Sequence, residues 1–198
     1  MRVMAITEHP DYGVLEIRLQ KLTGKAVSLS RRVFRMIEPE YYQDQDIVSG
    51  VGGFKSCGRW NLSGRFHCSY MSCTPETALE EVLAASRRKN LPDATALPRV
   101  LVCVDVKLQR VLDLTDGQVR QRCRVSDKRM VDERWWREIF YDREALTQAL
   151  GRAAASAGFE GIVVPSAADR PHGVNVIVFT YNLLAGSRVD VITPISWT

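Results

Sequence analysis

Three stretches of this chain carry side chains able to do chemistry. The first is Gly58-Arg59-Trp60-Asn61-Leu62-Ser63-Gly64, a guanidinium and an amide enclosed by glycines. A guanidinium can hold a carboxylate or a phosphate through two parallel hydrogen bonds. The same stretch also reads as a surface turn whose Trp60 plugs the core. The second runs from Tyr70-Met71-Ser72-Cys73-Thr74-Pro75 into Glu80 and Glu81. On a helix starting at Pro75, Ala78, Leu79, Val82 and Leu83 form the apolar stripe. Glu81 then borders it beside Ala78 and Ala85, and Glu80 points further toward water. A border carboxylate either faces a cleft or is solvated, and the periodicity favours Glu81 over Glu80. The third is Gly161-Ile162-Val163-Val164-Pro165-Ser166, an apolar strand ending in a serine that binds a ligand or caps a turn.

The elements around these stretches follow from pattern. Val14 to Arg18 and Arg32 to Ile37 alternate weakly as strands, and Asp44 to Gly64 is glycine-rich loop. Residues 65–72 read as a short strand. Thr74-Pro75-Glu76 is a strong helix start, with an N-cap hydroxyl, proline in the first turn and an acid at the positive end of the dipole. That helix runs to about Lys89. Val100, Val102, Val104 and Val106 alternate as a strand, and Leu108 to Leu114 reads as a second, hairpin-like one. An Arg-rich stretch is helical around Ser126 to Trp136. Arg143 to Ala157 is an amphipathic helix stopped by Gly158. Gly161 to Pro165, Val174 to Thr180 and Arg188 to Ile192 complete the strands, and the mixture predicts an α+β fold.

Composition narrows the function. The chain has 198 residues, 45% hydrophobic and 25% charged, which suits one globular domain and excludes collagenous or disordered classes. With Lys plus Arg at 27 and Asp plus Glu at 23, the net charge of +4 tolerates an anionic ligand without demanding one. Cys57, Cys68, Cys73, Cys103 and Cys123 include no CxxC pair, and with three histidines they predict reduced thiols and no metal site. No signal-peptide core is present, and no apolar run reaches the ~18 residues of a membrane span. A cytoplasmic protein is expected. The Walker, dinucleotide-fingerprint, HExxH and GxSxG patterns are all absent.

Taken together, the motifs resemble a family. Phe34-Arg35, Gly58-Arg59-Trp60-Asn61-x-x-Gly64, Tyr70-x-Ser72, Glu81 and Val164-Pro165-Ser166-Ala167 occur in an order similar to that of the RES-domain family. The family is named for its Arg, Glu and Ser and comprises mostly bacterial toxins of toxin–antitoxin pairs. The resemblance covers residues 32–180 and includes Gly158-Phe159-Glu160-Gly161, Asn175 and Phe179. It implies one RES domain over residues 1–198, with 1–31 an N-terminal extension packed on it. The implied fold is ADP-ribosyltransferase-like, a mixed or antiparallel sheet core with surrounding helices.

The resemblance implies consumption of NAD, either by hydrolysis or phosphorolysis of the nicotinamide–ribose bond or by transfer of ADP-ribose to a protein. By the same resemblance, Glu81 is the catalytic carboxylate, with Arg59 and Tyr70 beside it. Arg35 and Arg59 hold the phosphates and Tyr70 orients the nicotinamide, while Asn61, Ser72 and Ser166 complete the NAD-binding set. The chemistry suits these residue types. Cleavage develops oxocarbenium character that a carboxylate stabilises, and a cationic leaving group needs no strong acid. Cys57 and Met36 depart from the family pattern, where glycine and tyrosine are common, and Tyr41 or Tyr42 could supply the missing aromatic. The segment between Arg35 and Arg59 reads as a lid. A toxin implies an antitoxin or immunity protein that blocks the cleft, and its site of action is its own cytoplasm or that of a cell it is delivered into. A third reading is a non-catalytic or nucleic-acid-binding module, motivated by the Arg120 to Arg134 stretch, although a solvated helical face is much the commoner explanation of such a run.

Overall fold

The computed structural model describes residues 6–41 and 47–192. Six strands form one sheet: β1 (Val27–Ile37), β2 (Cys68–Ser72), β3 (Val100–Asp113), β4 (Gly161–Pro165), β5 (Val174–Phe179) and β6 (Arg188–Ile192). Their order is β1-β2-β5-β4-β3-β6, and β1 also pairs with β3. Strands β1, β2, β5, β4 and β3 therefore close into a barrel-like ring, with β6 on the edge of β3. Every pairing is antiparallel except β3 with β4. A parallel pair needs a crossover, here built from α4 (Gly117–Cys123), α5 (Asp127–Asp132), α6 (Trp135–Phe140) and α7 (Leu146–Ser156). Helices α1 (Tyr12–Leu22), α2 (Val51–Lys55) and α3 (Pro75–Arg87) precede it. The fold is mixed α+β, as expected.

Strands β4 and β5 are apolar at nearly every position because both of their faces are covered. Ile162, Val164, Ile177 and Phe179 pack with Leu15 and Leu19 of α1 and Leu146, Ala149, Leu150 and Ala153 of α7. On the other face Val163, Val176 and Val178 join Val33, Val102, Val104 and Val106. Gly158 ends the α7 region with φ +81, a conformation glycine adopts without strain.

Four expectations need correction. Val14 to Arg18 lies in helix α1, not a strand, because Leu15, Leu19 and Leu22 recur at helical spacing and all three are buried. The expected hairpin is a single strand, β3, since no turn residue stands at Lys107 and Val100 to Leu108 keeps one face inward. The glycine-rich 44–64 stretch is not all loop, for α2 occupies Val51–Lys55. The Arg-rich helix is broken at Glu133 and Arg134 into α5 and α6. Its Arg120 donates to the Leu114 and Thr115 carbonyls at the end of β3, so that guanidinium serves the fold.

Candidate active site

The site is assembled from β1, β2, α3, the Gly58–Gly64 segment and the end of β4. In β2, Tyr70 and Ser72 alternate onto one face. Across the ladder Ser72 stands opposite Asn175 of β5, and Asn175 opposite Val164 of β4. The chain turns from β2 directly into α3, whose Thr74 hydroxyl accepts a hydrogen bond from Thr77 N at 3.1 Å. Thr77 and Glu81, four residues apart on α3, then face the same loop. Thr77 donates to Asp169 Oδ2 at 2.6 Å. Glu81 Oε1 accepts from Ser166 Oγ at 2.7 Å and from Asn175 Nδ2 at 2.6 Å. Asn175 is oriented in turn by Ser72, whose hydroxyl donates to Asn175 Oδ1 at 2.7 Å. Glu80 instead pairs with Arg87 at the surface.

A second network holds the aromatic. Trp60 N donates to the Tyr70 hydroxyl at 2.8 Å, and that hydroxyl donates to Asn61 Oδ1 at 2.8 Å. Asn61 is fully buried, and its Nδ2 donates to the carbonyls of Gly53 and Ser56. Burial pushes the Tyr70 phenol well above its ordinary value, so it stays protonated. Gly58 is required here because a Cβ would fall 2.6 Å from the Tyr70 hydroxyl and 2.7 Å from Asn61 Oδ1. Helix α7 backs the segment. Its Gln148 Nε2 donates to Gly58 O at 2.9 Å, and at Gly151 a Cβ would lie 1.9 Å from Trp60 O.

The two arginines are anchored differently. Arg35 Nη1 donates to Ser69 Oγ at 2.6 Å and to Ile47 O at 2.5 Å. Arg59 Nη1 donates to Met130 O at 2.7 Å and Glu133 O at 3.0 Å, at the end of α5. Burial lowers the pKa of both, and the Glu81 charge partly restores that of Arg59. A guanidinium remains charged throughout any accessible pH.

Two cavities meet at these residues. One of about 540 Å³ is walled by Phe34, Met36, Val82 and Leu91, with Lys89 and Arg99 among its cations. The other, about 390 Å³, is walled by Gly58, Arg59, Arg88, Trp135 and Pro165. Arg35, Tyr70, Glu81 and Asn175 line both, so the cavities are two lobes of one cleft whose junction holds the carboxylate. All the predicted residues converge here. Arg35, Arg59, Tyr70 and Glu81 face the cleft. Ser72 and Ser166 are buried, their hydroxyls directed to Asn175 and Glu81, and Asn61 lines the second lobe with its amide bonded to protein. Met36 lines the larger lobe, whereas Tyr41 is exposed and Tyr42 lies outside the described residues, as does part of the expected lid. Asn175 is marked in the sequence only through the family resemblance and without a role, and neither Arg88 nor Trp135 is marked as a site residue there. Among the described residues no group of three or more His, Cys, Asp or Glu could hold a metal ion.

The RES domain sequence profile matches residues 32–198. The chain belongs to the RES-domain family. Relatives of this RES protein include the NAD(+) phosphorylase MbcT of Mycobacterium bovis and that of Mycobacterium tuberculosis. Each is 28% identical over 139 residues, 69% of this chain and 68% of the relative. In structure the RES protein is similar to a chain in the crystal structure of the M. tuberculosis MbcT–MbcA toxin–antitoxin complex. The TM-score is 0.69 at 21% identity, covering 90% of this chain and 88% of that one. No described helix of the RES protein is long and apolar enough to cross a membrane.

Proposed function

We propose that this RES protein is a toxin that cleaves the nicotinamide–ribose bond of NAD, with inorganic phosphate as the acceptor. The observation that carries this reading is the two-lobed cleft with Glu81 at its waist, flanked by Arg35 and Tyr70. A dinucleotide has two halves joined by a pyrophosphate, and the bond to be broken must lie beside the carboxylate. The apolar walls of the larger lobe suit the adenosine half. Arg35, fixed at the junction, suits the pyrophosphate. The Tyr70 ring offers the nicotinamide a flat face, its hydroxyl being held elsewhere.

Ser166 and Asn175 both donate to Oε1 of Glu81, which fixes the carboxylate plane and directs the other oxygen toward the ribose. Negative charge already oriented before reaction stabilises the oxocarbenium character of the transition state. Nicotinamide departs neutral because it takes the bonding electron pair onto its cationic nitrogen. The named activity of MbcT supports phosphate as acceptor. The reading extends to an ADP-ribosyltransferase-like fold and to residues 1–198 as one unit, supported by α1 packing through Leu15, Leu19 and Leu22 into the same core as α7. It also extends to an antitoxin-type protein that occludes the cleft, supported by the MbcT–MbcA neighbour.

The test is release of nicotinamide from NAD by the purified protein, with and without phosphate. Phosphate-stimulated release is expected, and Glu81→Gln should lower kcat by about 10²- to 10³-fold. Absence of release by the wild type removes the reading, and radiolabel from NAD left on a protein would replace phosphorolysis by transfer.

A further inference from the structure

The arginines near the cleft divide into two groups. Arg87 pairs with Glu80 and Asp93, Arg99 with Glu38, and Arg170 with Asp132. Arg35, Arg59 and Arg88 make no ion pair among the described residues, and all three line the smaller lobe beside Glu81, Arg35 at its junction with the larger lobe and Arg59 and Arg88 in the smaller lobe alone. Arg88 caps the C-terminal end of α3, seven residues and two helical turns beyond Glu81, so the two side chains leave the same side of the helix. Its guanidinium lies 5.7 Å from the ring centroid of Trp135, the first residue of α6, which lines the same lobe. Trp135 thus acts as a shelf for a cation whose position α3 alone would leave free.

Arg59 feels the charge of Arg88, and both guanidiniums feel the carboxylate. Burial lowers both, Arg88 lowers Arg59 further, and Glu81 raises both. Glu133 also raises Arg59, but its carboxylate lies outside the lobe and is taken up by Leu146 N, Thr147 N and the Thr147 hydroxyl. Within the lobe the only lining carboxylate among the described residues is Glu81, already held by Ser166 and Asn175. The lobe carries uncompensated positive charge. A cationic nicotinamide gains nothing from such a lobe, whereas a small dianion does.

We infer that Arg59 and Arg88, the latter seated on Trp135, form an oxyanion subsite that holds the inorganic phosphate accepting the ribosyl group. The inference rests on the proposed function. An anionic oxygen of that phosphate forms the bond to ribose C1″ while the C1″–nitrogen bond breaks. The electron pair of the broken bond goes to the nicotinamide nitrogen, and no proton has to be delivered. Arg59 fixes the inner side of the phosphate, being itself tied to α5, and Arg88 closes the outer side. Arg88 thereby sets the preference for phosphate over water.

The experiment measures both Michaelis constants of Arg88→Gln. The KM for phosphate should rise about tenfold or more, the size of a charge-assisted contact, with the KM for NAD changed by less than about twofold. Arg88→Lys, which keeps the charge but loses the fork, should recover part of the loss. Trp135→Leu should raise the phosphate KM in the same direction, and a thermal shift by inorganic phosphate, present in the wild type, should shrink in Arg88→Gln. An unchanged phosphate KM overturns the subsite. So does a parallel rise in both constants, which would place Arg88 on NAD itself. Wild-type protein that cleaves NAD at a rate independent of phosphate overturns the subsite and spares NAD cleavage, whereas wild-type protein that releases no nicotinamide removes the proposed function as a whole.

Discussion

Tyr70 shows how much of this site is support for one orientation. Its ring lies at the junction of the lobes, but its hydroxyl joins Trp60 N to Asn61 Oδ1. Tyr70→Phe keeps the ring and leaves a buried N–H and a buried carbonyl without partners, which costs about 1–3 kcal/mol. Denaturant unfolding should show that loss, and kcat should fall with it as the Arg59 segment loosens. A variant as stable as the wild type would mean that the network is dispensable. Ser166→Ala tests the other side. It removes a donor to Glu81 and the acceptor for Ala168 N and Asp169 N. Here kcat should drop by about 10-fold or more with little change in the KM for NAD, read from steady-state nicotinamide release. Glu81 could be preferred over Glu80 from helix periodicity alone. The bonding of Asn61, Ser72 and Ser166 within the protein was not legible, since a sequence does not say which way a hydroxyl or an amide points. Arg88 and Trp135 were invisible for another reason. They lie 47 residues apart, and only the crossover between β3 and β4 brings them together.

At the level of elements, the weight falls on the contact between α7 and the Gly58–Gly64 segment. Gly151 in the middle of a helix would ordinarily be unfavourable relative to alanine by up to about 1 kcal/mol. Here the sign reverses, because any Cβ meets the Trp60 carbonyl. Gly151→Ala should therefore destabilise by about 1–3 kcal/mol and displace Arg59, so thermal unfolding and phosphate-dependent turnover should both suffer. An unaltered or raised melting temperature would show that the helix and the segment part easily. The start of α3 was readable in full, because an N-cap threonine followed by proline encodes its own geometry. Helix α1 carries a strand-like signal in the sequence because a short apolar stripe at spacing four also satisfies a weak alternation. The continuity of β3 was missed because a strand that changes partners, from β6 to β4 along one edge, carries no local mark of doing so.

Across the whole molecule, closure of the sheet depends on residues far apart in the chain, and Glu160 is where several of them are tied. Its motif suggested the family, but its carboxylate is fully buried in the fold, away from the cleft. It accepts from Gln109 N at 2.6 Å and Arg110 N at 2.7 Å in β3, and from Leu184 N at 2.8 Å beyond β5. Burial alone would raise its pKa. The bonds from Leu184, Ser187, Gln109 and Arg110 outweigh burial and hold it below the ordinary carboxylate range. A carboxylate depressed in the folded state stabilises the fold fully above its unfolded pKa, near 4.3. That stabilisation is lost as pH falls from there through the lower folded value. Melting temperature should accordingly decline on acidification below about pH 4.3, with a steeper slope than the exposed carboxylates provide. In Glu160→Gln the amide can accept with only one of its atoms, so stability at neutral pH should be lower and the acid slope shallower. If wild type and variant lose stability in parallel between neutral and acid pH, Glu160 is not the tie, and the joint between β3 and the chain beyond β5 must rest on packing alone.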